Sequence, residues 1–123
     1  MGKYVGLEWA STGWFGVVFD DDGGWDTGVY PSVWSAWKYH SDAARILINI
    51  PIGLPADGKR ACDVAARRKL GRRGSSVFYT PLRDAVYCQT LEEAKAVNEA
   101  AADFSIQNQA WSIVPRIREV DEF

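Results

Sequence analysis

The chain has 123 residues, a formal net charge of −2, and 47% hydrophobic and 24% charged residues. That length and balance fit one globular domain whose core needs no disulfide staples, and they exclude a disordered chain. No run of 18 apolar residues exists and the N-terminus lacks the charged-then-apolar order of a signal peptide, so no membrane partner and a cytoplasmic location are expected. Cys62 and Cys88 form no CxxC motif, and His40 is the single histidine; neither a zinc site nor a disulfide framework follows, and both thiols read as reduced and packed.

In chain order, residues 3–10 alternate as a strand does and stop at Ser11-Thr12-Gly13. Residues 14–20 form a second strand, and Asp21-Asp22-Gly23-Gly24 is a turn leading to a third strand at 25–30. Two short connections make these an antiparallel meander. Ser32 is placed to cap a helix carrying Val33, Trp34 and Trp37, which ends near residues 39–42, where His40 reads as a surface or capping residue. Residues 45–50, RILINI, are apolar except for Asn49, the pattern of a central strand covered on both faces and paired parallel to a neighbour. Pro51 and Pro55 bracket Gly53 and turn the chain outward.

Residues 61–70 are helical in propensity, with Gly71 or Gly74 as the stop. A loop containing Ser75, Ser76, Thr80 and Pro81 follows. Thr90 with Glu93 reads as a capping box before an Ala-rich helix running to about residue 102. A last helical segment spans 105–119, with Pro115 kinking or ending it. The fold class is therefore α/β, a three-strand antiparallel meander plus a central parallel strand, with three or four helices.

The net charge hides an asymmetry. Between Lys59 and Arg73 stand seven basic residues against Asp63 alone, a local charge of +6, so the rest of the chain carries −8. A polyanion responds to that local charge rather than to the total. Arg67, Arg68, Arg72 and Arg73 are candidate phosphate clamps, since guanidinium forks match phosphate oxygens; solvated helix-face cations are the plain alternative. Ser75 and Ser76 beside them offer hydroxyl and amide donors to the same anion. Asp63, at the start of the helix, either satisfies amide donors and the helix dipole or orients Arg67 one turn later.

The segments LINIPIGLP (47–55), RACDVAARRKLG (60–71), SSVFYTP (75–81), EEAKAVN (92–98) and QAWSIVPRIREVDE (109–122) resemble the family called domain of unknown function 429. That resemblance implies a truncated RNase H-like fold, matching the first half of such a domain, and a nuclease that would use Mg²⁺ or Mn²⁺. It places Glu8, where the family usually has Asp, and Asn49 at the family's metal-site positions, with Glu8 as metal ligand; Asp63 is a third catalytic candidate from its place in the basic segment. Asn49 stands where the family usually has Asp; an amide lends a carbonyl oxygen but no charge, so two-metal binding is expected to be weakened. A half-fold exposes a sheet edge and apolar faces, and six Trp suit an interface, so a homo-oligomer, most simply a two-fold dimer, is expected, with nucleic acid as a further partner.

Overall fold

The computed structural model describes residues 2–123, which divide into two compact units, residues 2–50 with 122–123 and residues 51–121. The first unit holds a four-stranded sheet: β1 (Lys3–Trp9), β2 (Trp14–Asp20), β3 (Trp25–Tyr30) and β4 (Arg45–Ile48), in the order β3-β2-β1-β4. The meander is antiparallel, with Leu7 opposite Gly16 and Gly16 opposite Gly28, and β4 lies parallel to β1 with Leu47 opposite Gly6. The strands match the expected spans closely because period-2 alternation and the Asp-Gly turn are local signals.

The expectation of a central β4 needs correction. Among the described residues β4 has β1 as its single neighbour, and its side chains alternate between exposed and half-buried. A continuous apolar run does not reveal whether both faces are covered, because that depends on what packs there.

The two faces of the sheet differ sharply. One carries Val5, Leu7 and Trp14, all buried. Helix α1 (Val33–Tyr39) contributes buried Val33 and Ala36 and is started by a reciprocal cap: Ser35 N–H donates to Ser32 Oγ at 3.1 Å, and Ser32 N–H to Ser35 Oγ at 3.2 Å. On this face glycine is required. A Cβ at Gly28 would sit 2.7 Å from the Tyr30 hydroxyl, and one at Gly16 would sit 3.0 Å from the Tyr30 ring, so the ring lies over both. The hydroxyl then reaches His40 Nε2 at 2.5 Å. His40 is therefore buried, 4% exposed, so the surface alternative fails; the capping one holds, since its N–H donates to Ala36 O and closes α1.

The second unit is helical: α2 (Ala61–Leu70), a 3₁₀ turn (Gly71–Ser76), α3 (Arg83–Val86), α4 (Leu91–Ala101) and α5 (Asn108–Glu122). Gly71 closes α2 with φ +55, a backbone conformation that glycine adopts without strain. Thr90 accepts from Glu93 N–H at 3.2 Å to start α4. Leu82, Ala85, Ala94, Ile106 and Ala110 form its core, and buried Asn98 ties the pieces together by accepting from Leu82 N–H and donating to Phe104 O, each at 2.9 Å. Pro115 does not end α5. The helix loses one backbone bond there but keeps Ala110, Val114 and Ile117 buried along one face, and that burial outweighs the break. The one-turn α3 is absent from the sequence reading because four residues are too few to show a period. Among the described residues no helix is long and apolar enough to cross a membrane.

Burial, with help from the nearby Lys3 ammonium, lowers the pKa of His40 from its ordinary 6.5. Unfolded chains take up a proton that the folded state resists, so stability is full above that pH and declines as pH falls below it. Thermal melts should drop between pH 7.5 and 5.5, and His40→Gln should flatten that dependence while lowering the melting temperature overall. An unchanged slope in the variant would remove His40 from the account.

Candidate functional site

The sheet brings Glu8 and Asn49 together. β1 carries Glu8 to its C-terminal end, and the ladder continues one residue past β4 as Asn49 N–H donates to Leu7 O at 2.9 Å. This sets the Asn49 amide beside the carboxylate, with Nδ2 donating to Glu8 Oε1 at 3.3 Å. Both line an open cavity of about 440 Å³ floored by Gly6 and walled by Phe15, Val17 and Leu47. Gly6 leaves the trough open, since a Cβ there would meet no atom within 4 Å.

A pair of divalent ions needs several fixed oxygens and negative charges. This end of the sheet offers one carboxylate, already engaged by an amide N–H, and the described residues contain no cluster of three or more His, Cys, Asp or Glu able to hold an ion. The donor set does not fit a two-metal centre.

Asp63 belongs to the other unit and is thoroughly partnered. It is 6% exposed and sits in the first turn of α2. Arg60 clasps it with Nη2 on Oδ1 at 2.6 Å and Nε on Oδ2 at 3.1 Å, a two-pronged ion pair, while Thr80 N–H donates to Oδ2 at 2.9 Å. Arg60 Nη1 also donates to Ile52 O at 2.8 Å. One carboxylate thus ties the loop after β4, the start of α2 and the segment before α3. Burial alone would raise its pKa, but the hydrogen bonds from Arg60 and Thr80 and the guanidinium charge outweigh that and hold it below the ordinary carboxylate value.

The partner of Asp63 is therefore Arg60, not Arg67. Arg67 turns away, donating to Val77 O at 3.0 Å and stacking 4.4 Å from the Tyr79 ring centre. Lys59 lies over the same ring at 4.4 Å and pairs with Asp103 at 3.4 Å. Buried Gly74 lets the 3₁₀ turn close onto α2, since a Cβ there would come within 2.9 Å of Arg67 O. Ser76 Oγ donates to Arg73 O at 2.7 Å, and Ser75 is exposed.

Seven basic residues thus separate into two sets. Lys59, Arg60 and Arg67 are built into the unit. Arg68, Lys69, Arg72 and Arg73 are exposed, and among the described residues their side chains make no ion pair or hydrogen bond. Charge counting could not sort them, because all seven look alike in composition. The roles of Thr80 and Tyr79 had no sequence signal at all.

The family described as "Protein of unknown function (DUF429)" matches residues 6–123. The chain belongs to this family. No curated protein and no solved structure matches it.

Replacing Asp63 by Asn would keep its shape but strand the buried Arg60 charge. Loss of a buried ion partner costs about 3 kcal/mol or more, so urea unfolding should show a large drop in stability. A change under about 0.5 kcal/mol would mean that the pair is not holding the segment. Because the folded pKa of Asp63 is lowered, its contribution is present at neutral pH and fades as pH falls below the ordinary carboxylate range.

Proposed function

We propose that this family member binds a polyanion, most naturally single-stranded nucleic acid, through Arg68, Lys69, Arg72 and Arg73, without cleaving it, in the cytoplasm. The observation that carries this reading is the division of the basic segment. Three cations stabilise the scaffold, while four others stand exposed on the last turn of α2 and the 3₁₀ turn that follows. Cations at a helix C-terminus are favoured by its dipole, which accounts for Arg68 and Lys69 but not for Arg72 and Arg73 beyond it. Ser75 extends the same exposed turn with a hydroxyl. The RNase H-like resemblance points toward nucleic acid. The single carboxylate at the Glu8–Asn49 pair argues against metal-dependent cleavage.

The triple variant Arg68→Glu, Arg72→Glu, Arg73→Glu should abolish binding of a labelled single-stranded oligonucleotide in fluorescence anisotropy. With roughly four phosphates neutralised, log affinity of the native protein should fall against log salt with a slope near −3. Full binding by the triple variant, or a flat salt dependence, would reject the reading. Arg67→Glu is a poor test, since it unseats a structural side chain. Calorimetry with Mn²⁺ should give no saturable heat; a saturable site lost in Glu8→Gln would reinstate metal-dependent cleavage.

A second reading is favoured by one observation: Tyr4, Phe15, Phe19, Trp25, Val29 and Leu47 are all exposed on one face of one sheet. On that reading the chain is a non-catalytic interaction module that acts as a homo-oligomer.

A further inference from the structure

The bare face of the sheet is ordered as three rows across four strands. Register alone places the rows: Arg45, Tyr4, Phe19 and Trp25 in the first, Leu47, Gly6, Val17 and Thr27 in the second. The third runs from Asn49 through Glu8 and Phe15 to Val29. The cation thus stands at one end of the face and the carboxylate at the other, with a glycine trough between them.

Resting on the homo-oligomer reading, we propose that this face pairs with the same face of a second copy, about a two-fold axis lying across the strands at the Gly6 row. Rotation about that axis lays the first row of one copy over the third row of its partner. Arg45 then lies over the partner's Asn49, one strand from its Glu8 and within reach of that carboxylate for a long guanidinium side chain, the Tyr4 hydroxyl faces the same Glu8, and Phe19 stacks against the partner's Phe15. The most exposed aliphatic knob, Leu47, falls beside the Gly6 trough, helped by the angle of about 30° that twisted sheets adopt when they stack. A two-fold axis along the strands would instead set Glu8 against Phe15, with no cation to meet it. The charges therefore choose between the two symmetric arrangements.

The area is adequate. Taking roughly 200 Å² for each aromatic side chain, exposures of 69, 53, 45 and 38% at Trp25, Phe19, Tyr4 and Phe15 leave on the order of 400 Å² of ring surface in water. Leu47 at 67% and Val29 at 60% bring the face toward the roughly 800 Å² per partner of a standard interface. A monomer seldom leaves so large an apolar patch bare.

Sedimentation velocity from low micromolar to several hundred micromolar protein tests the pairing. A reversible dimer is expected, weakened at least tenfold by Arg45→Glu or Glu8→Arg alone and restored when both are combined. The restoration guards against misfolding of the single variants, and Leu47→Asp should abolish the dimer with the far-ultraviolet circular dichroism unchanged. A monomer throughout overturns this proposal and the homo-oligomer reading together. A dimer indifferent to all three positions overturns the proposed face alone and moves the contact elsewhere, for instance to exposed Trp34 and Trp37 on α1. Binding of the oligonucleotide rests on different residues and is unaffected by either result.

Discussion

The carboxylate of Asp63 is the constraint on which the basic segment depends. Arg60 and the Thr80 N–H meet on its two oxygens, and Arg60 in turn donates to Ile52 O, so the loop after β4, the first turn of α2 and the residues leading to α3 are tied through this one pair. Isolated, a charge buried to this degree would protonate rather than remain ionised. Here the two-pronged guanidinium and a backbone N–H supply what water would have supplied, and the lowered pKa is the thermodynamic record of that exchange. Because Arg60 is consumed in this way, and Lys59 and Arg67 are held at Tyr79, the rest of the positive charge is left to the solvent side.

That division has a functional consequence. A guanidinium that already donates to a buried carboxylate and a carbonyl has few N–H groups left for a phosphate, whatever its formal charge. The exposed cations have all of theirs. As the proposed anion site, the +6 segment is smaller than its composition suggests and better defined, since a helix end and a tight turn present it.

The sheet shows the same economy in another form. One face is closed by glycine: the Tyr30 ring fills the space over Gly16 and Gly28 and its hydroxyl meets His40. The other face keeps its glycine open, at Gly6, and leaves aromatic side chains in water. An identical residue type closes one surface and opens the other, according to whether a neighbour's side chain folds back over it.

By itself the sequence determined what local physics controls. The three strands of the meander, the Ser32 and Thr90 caps, the span of α2 with its glycine stop, and the family carrying them were all legible, because alternation, capping and turn chemistry act over a few residues. The parallel pairing of β4 was legible too, whereas Glu8 and Asn49 were linked only through the family resemblance, and it is the β1–β4 register that sets them side by side. Tertiary structure alone decided that β4 ends the sheet, that α5 runs through Pro115, that His40 is buried, and that Asp63 belongs to Arg60 and not Arg67. Each of those outcomes depends on which groups, distant in sequence, arrive to exclude water or donate a hydrogen bond, and no pattern within a window of the chain records that arrival.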